Sequence, residues 1–138
     1  IKVGRAYSRR VGYYDGFPYF AQQLIDGVLR SKFFPRVYDF EWSADRSHFF
    51  CVMRRYRKTA RNQRGVANDM QATLKKITGE KPYTGNYKGR FRKAMEQLVD
   101  FRLIPDIHAG NVMRDRHDTP IVIDPILVRL AYQQSVYG

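Results

Sequence analysis

The stretch Ile104-Pro105-Asp106-Ile107-His108-Ala109-Gly110-Asn111-Val112-Met113, followed by Ile121-Val122-Ile123-Asp124-Pro125, decides how the chain is read. Asp106, Asn111 and Asp124 form an acidic and amide set between a helical pattern ending at Leu103 and two short apolar runs. The spacing Asp-x-His-x-x-Asn, with an Asp thirteen positions further on (124 − 111), is what a magnesium–phosphate site needs. Asp106 would orient an attacking hydroxyl and accept its proton, while Asn111 and Asp124 would offer oxygens to magnesium. The competing reading is a polar loop that caps a helix and a hairpin, because Asp and Asn are common turn residues. It explains neither the spacing nor an apolar strand running straight into Asp124.

Working outward, Asn111-Val112-Met113 and Ile121-Val122-Ile123 read as two short strands joined by the polar turn 114–120. Upstream, Phe91, Ala94, Met95, Leu98, Val99 and Leu103 mark a helix that Pro105 brings to a stop. Another helical face carries Val66, Met70, Leu74 and Ile77, ended by Gly79, with a loop over 80–89. Val37 to Trp42 alternates as a half-buried strand does, Ser43 to Ser47 is a hairpin turn, and His48 to Met53 is a nearly continuous apolar run. That continuity predicts a strand more deeply buried than its partner. Phe17, Phe20, Ala21, Leu24, Ile25, Val28 and Leu29 form an amphipathic stripe, with Asp15 as N-cap, Pro18 in the first turn and fraying by Ser31. Residues 1–5 read as the end of a strand, a basic loop follows to Tyr14, and the tail after Pro125 carries no clear pattern.

The chain of 138 residues is the size of one domain, with 43% hydrophobic and 14% aromatic residues, which excludes a disordered tail. No apolar run is long enough to span a bilayer, and no secretory leader pattern opens the sequence. The lone Cys51 excludes an internal disulfide, makes a reducing compartment the default, and reads as a small core residue. The net charge of +12 is uneven: residues 1–94 hold 21 Lys and Arg against 7 Asp and Glu, and residues 95–138 hold 4 against 6. A basic surface of this kind suits polyanions, an acidic protein face or a nucleotide. The run 54–64 contributes six of the basic residues and no acid. It is either a solvated face or a contact for nucleic acid. The aromatics at 17, 20, 40, 42, 49 and 50 fall on core-facing spacings, which argues against a stacking platform. His117, in a turn beside Asp115 and Asp118, lacks the second soft ligand that a structural metal needs.

Ile1-Lys2-Val3-Gly4, Phe34-Pro35-Arg36-Val37-Tyr38-Asp39, Asp106 to Met113 and Ile123-Asp124-Pro125 together resemble the early serine/threonine protein kinases of T-odd type podoviruses, which are associated with shut-off of host functions. The loop from Asp106 to Asn111 is also shared with antibiotic phosphotransferases. The resemblance implies an α+β, reduced protein-kinase-like fold in a single domain. Residues 1–56 would be an N-lobe remnant and hinge, with a small antiparallel sheet and a helix. Residues 57–138 would be a minimal, mostly helical C-lobe with a catalytic-loop hairpin. ATP and magnesium are the implied cofactors. Asp106 and His108 would be catalytic, with His108 touching the transferred phosphate. Lys2 would hold the α- and β-phosphates, Met53, Arg54 and Arg55 would belong to the hinge that meets the adenine, and Asn111 and Asp124 would be the metal ligands. Taken alone, Lys2 reads as an ordinary solvated lysine near a terminus, and the resemblance sets the phosphate-holding reading level with that one. The implied substrate is a host protein, such as part of the transcription or RNA-processing machinery, in the cytoplasm of the bacterial host cell.

The chain departs from that pattern at several positions. It begins one residue before Lys2, at Ile1 rather than Met, so a phosphate-covering glycine loop is expected upstream. The first helix offers Gln22, Gln23 and Asp26 but no glutamate for Lys2. Ile104 stands where the family has histidine, Pro125-Ile126 stands where it has Phe-Gly, and only fourteen residues follow Asp124. The alternative is therefore a kinase-like scaffold that no longer catalyses and uses its basic face to bind an acidic host protein or nucleic acid.

Overall fold

The structure is a computed structural model, and it describes residues 2–5, 13–58, 68, 71–72 and 90–138. It is an α+β arrangement of short antiparallel sheets and few helices. In chain order the elements are β1 (Lys2–Arg5), β2 (Tyr13–Asp15), α1 (Phe17–Ile25), β3 (Val37–Trp42), β4 (His48–Met53), α2 (Arg90–Glu96), β5 (Leu103–Pro105), β6 (Val112–Arg114), β7 (Pro120–Val122), β8 (Ile126–Arg129) and α3 (Gln133–Tyr137). Single 3-10 turns cover Ala109–Asn111 and Leu130–Tyr132. Asn68, Gln71 and Ala72 are helical, whereas most of the helix expected over 66–77, the loop 80–89 and residues 59–64 of the basic run lie outside the described residues.

The first sheet has the order β1-β4-β3, the second β2-β8-β5, and β6 and β7 form the third. The β3–β4 hairpin is as its alternation predicts. Strand β4 is the more deeply buried of the two, as expected, but on one face alone: Phe49 and Cys51 are buried, while Phe50 is 49% and Val52 42% exposed. The backbone of β4 is central, paired on both sides, yet α1 covers only one face of the sheet. On that face Phe49 stacks on Phe17 and Phe40 at 5.4 and 5.5 Å, and Trp42 meets it edge-on. Burying each such ring contributes about 1.5–3 kcal/mol. Of the six aromatics expected inside, Phe50 is therefore the exception.

Helix α1 ends at Ile25, earlier than its apolar stripe. Gly27 takes φ +73 there, a left-handed turn that ends the helix, and Ile25 and Val28 are left exposed. Its start is pinned by the second sheet. A Cβ on Gly16 would lie 2.2 Å from the Ile126 carbonyl oxygen, so only glycine lets β8 approach so closely. Asp15 accepts from the Phe17 amide at 2.9 Å, one position before the helix cap at Gly16.

Among the described residues, the second half holds more strand than a mostly helical unit would, and the helix expected over 66–77 lies largely outside them. Helix α2 ends at Glu96, and Leu103-Ile104-Pro105 is strand β5, paired with the previously unplaced tail segment β8. Among the described residues, four short strands accompany the helices α2 and α3 and the helical positions 68, 71 and 72 there. Strand β2 pairs with β8 in the register Asp15↔Leu127, so a segment from before residue 56 belongs to the second sheet. One core, with Phe17, Phe20, Phe49, Cys51, Met95, Val112, Val122 and Val128, draws on both halves. Among the described residues, no helix is long and apolar enough to cross a membrane.

Candidate active site

Strand β5 delivers the chain to Asp106, and β8 leaves from Asp124-Pro125 beside it. The Asp106 amide donates to the Pro125 carbonyl at 2.7 Å, which joins the two segments. Asn111 completes the junction from the 3-10 turn. Its Nδ2 donates to the carbonyl oxygens of Asp106 at 2.7 Å and Asp124 at 2.6 Å, and its Oδ1 accepts from the His108 amide at 3.2 Å. Its own carbonyl accepts from the Ile123 amide at 2.7 Å. Asn111 is 8% exposed, the one buried polar side chain among the described residues. A buried amide with every donor satisfied is a rigid cross-link.

Gln71 braces the same loop from the helical segment. Its Nε2 donates to the Pro105 carbonyl at 3.1 Å, and its Oε1 accepts from the Ile107 amide at 2.7 Å. The backbone on both sides of Asp106 is thus fixed by side chains distant in sequence. His108 is exposed, and its Nδ1 accepts from the Gly110 amide at 3.1 Å, which leaves the ring proton on Nε2.

Lys2, on β1 opposite Cys51, reaches across the sheet edge to this junction. Its Nζ lies 3.8 Å from Asp124 Oδ2 and 4.2 Å from the centre of the Phe17 ring. The side chain of Asp124 keeps 24% of its accessible surface, but all of that is away from Oδ1, which is buried and has no hydrogen-bond partner among the described residues. Burial pushes the Asp124 carboxyl up to about 7, with repulsion from Asp15 adding to it and attraction to Lys2 opposing it. Asp15 is also raised, chiefly by burial and further by Asp106, while the Phe17 amide and Lys2 pull it down. Among the described residues, the carboxyls of Asp15, Asp106 and Asp124 act on one another and the Lys2 ammonium opposes the shifts of Asp15 and Asp124.

Of the residues singled out from sequence, Lys2, Asp106, Asn111, Asp124 and His108 lie on these adjoining segments. Met53 packs partly against the core at the end of β4. The Arg54 amide is spent on the Arg36 carbonyl at 2.9 Å, and the side chains of Arg54 and Arg55 line a different cavity, with Tyr56, Asp115, Arg116 and His117. Sequence reasoning missed Asp15 and Gln71. Asp15 reads as a helix cap, and it does bond the Phe17 amide, but only the β2–β8 pairing brings it to Lys2. Among the described residues, no three His, Cys, Asp or Glu side chains converge as a ready-made metal centre. Compared with known proteins, the chain matches no family model, no curated protein and no solved structure.

Proposed function

We propose that the chain is an ATP-dependent phosphotransferase of serine/threonine protein kinase type. The observation that carries this reading is the Asn111 side chain, which holds the backbones of Asp106 and Asp124 together within reach of Lys2. A loop that merely capped a helix would have no need to bind a second carboxylate-bearing segment and a strand lysine. In this reading Asp106 orients the acceptor hydroxyl and takes its proton, and Lys2 holds phosphate oxygens. His108 presents its Nε2 to the transferred group. The bracing of Asp106 by Gln71, Asn111 and Pro125 holds it in place before substrate arrives, which is where most of the catalytic effect in phosphoryl transfer originates.

Magnesium fits the residues present. Asp124 Oδ1 is a buried oxygen without a hydrogen-bond partner among the described residues, and Asn111 Oδ1 keeps one lone pair beyond its bond to His108. Magnesium is held by one or two protein oxygens together with waters and phosphates, so a three-residue cage is not required. When bound there it supplies charge neutralisation for the β- and γ-phosphates. The hinge role for the stretch 53–55, a host protein as acceptor and the bacterial host cytoplasm as location follow from the resemblance to the podovirus kinases.

The test is transfer of the labelled γ-phosphate of ATP to a generic protein acceptor, followed by acid hydrolysis. Phosphoserine or phosphothreonine that disappears with Asp106→Asn supports the proposal, whereas transfer that persists in that variant refutes it.

A further inference from the structure

Away from this junction, a cavity of ≈ 360 Å³ lies between the end of β4 and the β6–β7 turn, lined by Arg54, Arg55, Tyr56, Asp115, Arg116 and His117. Its two walls are locked together. The backbones of Arg57 and Arg114 exchange hydrogen bonds, both 2.8 Å, and the Arg57 guanidinium reaches Asp118 Oδ1 at 2.7 Å. The acids of the turn are already engaged: Asp118 with Arg57, and Asp115 Oδ1 with the amides of His117 at 2.8 Å and Thr119 at 2.9 Å. Arg54, Arg55 and Arg116 are exposed and bring three positive charges to the cavity. Arg116 is held in place by its bond to His117 Nε2 at 3.2 Å.

Aromatic rings are interleaved with these cations. Tyr38, 54% exposed, has the Arg36 guanidinium over its ring at 5.8 Å and its hydroxyl near the Arg54 side chain. The Tyr56 hydroxyl accepts from the Arg36 amide at 2.9 Å, which fixes that ring in the cavity wall. A lone phosphate on a peptide would use the arginines and leave both tyrosines without a role. Single-stranded nucleic acid uses both, with backbone phosphates on the cations and bases on the ring faces.

We infer that the surface formed by Arg36, Tyr38, Arg54, Arg55, Tyr56 and Arg116 binds single-stranded nucleic acid. Arg54 and Arg55 also fall in the stretch 53–55 to which the phosphotransfer reading gives a hinge role, but none of the side chains used here belongs to the junction at Asp106 and Asp124, so strand binding and phosphate transfer are tested separately. Binding is electrostatic in its salt dependence and draws on stacking for its preference for unpaired strands.

The experiment is fluorescence anisotropy of the full chain with a labelled single strand of about 16 nucleotides. It is run as RNA and as DNA to identify the source, beside the matching duplex and a phosphoserine peptide. Substituting Arg54→Gln, Arg55→Gln and Arg116→Gln together is expected to make the log–log salt slope shallower by about 2, from roughly 0.7 per lost phosphate contact. Tyr38→Ala is expected to weaken single-strand binding about tenfold and to leave duplex binding nearly unchanged. Circular dichroism confirms that the exposed substitutions leave the fold intact. Lys32→Gln, Lys93→Gln and Arg129→Gln, elsewhere on the surface, should change little. Equal loss in that control, no loss in the arginine variant, no effect of Tyr38→Ala, or displacement of the strand by the phosphoserine peptide at equal phosphate concentration would each overturn the inference.

Discussion

Replacing Asn111 with Ala removes the cross-link on which the candidate site is built, and its cost can be worked from the hydrogen bonds. Three backbone groups lose their partner: the carbonyls of Asp106 and Asp124 and the amide of His108. A buried polar group left unpaired costs about 1–3 kcal/mol, so three of them, one near the surface, come to about 4 kcal/mol. That is a large part of the roughly 5–15 kcal/mol by which a small domain is stable. The chain has one tryptophan, and Trp42 packs edge-on against Phe40, Phe49 and Tyr137, so its fluorescence reports the core. Urea unfolding followed by that signal should show the midpoint falling at an unchanged slope. Asn111→Asp keeps the shape but sets a carboxylate against two carbonyl oxygens. It should be at least as damaging at neutral pH and recover in part on acidification, when its proton restores one donor. A loss below about 1 kcal/mol in Asn111→Ala would refute the cross-link.

Other perturbations follow from the same geometry. Asp124 has a folded-state pKa raised to about 7, above the unfolded value, so its contribution to stability falls as pH rises from about 4 to about 7 and is level above that. Thermal melts of Asp124→Asn should accordingly show a gain over the parent chain that is larger at pH 8 than at pH 5; an equal offset at both values would contradict the buried ionisation. Asp15→Asn removes a repulsion, so the Asp124 carboxyl should titrate lower when followed by carbon-detected NMR, and an upward movement would reverse the sign of that coupling. Gln71→Ala breaks both bonds that brace the Asp106 loop and should slow phosphate transfer more than it raises the KM for ATP, because the loop, not the nucleotide pocket, is loosened. A change confined to KM would place Gln71 elsewhere in the mechanism.

The parts of this arrangement visible in the amino-acid sequence are the local ones. The β3–β4 hairpin could be read because alternation and a polar turn specify it without reference to anything else. The approach of Asp106, Asn111 and Asp124 could be read from spacing, since one turn and one short hairpin are all that separates them. The exposure of Phe50 and Val52 could not, because an apolar run does not say which face another element will cover. Leu103 reads as the end of a helical pattern that Pro105 stops, and the strand over Leu103-Ile104-Pro105 depends on β8, more than twenty residues later. On the opposite edge of β8, pairing with β2 joins segments more than a hundred residues apart and sets Asp15 in the field of Lys2 and Asp106. Gln71 offers no sequence signal at all, because a polar residue on a helix is ordinary until its partner loop is known.

The most direct test of the account is the rate of γ-phosphate transfer measured in parallel for the parent chain, Asp106→Asn and Asp124→Asn, with magnesium and ATP saturating. A group that takes the hydroxyl proton is worth about a hundredfold or more, so Asp106→Asn should lose at least that factor while still binding ATP. Asp124→Asn should lose transfer together with its magnesium dependence. Parent-level transfer in either variant, or transfer by the parent chain that is indifferent to magnesium, would contradict the account.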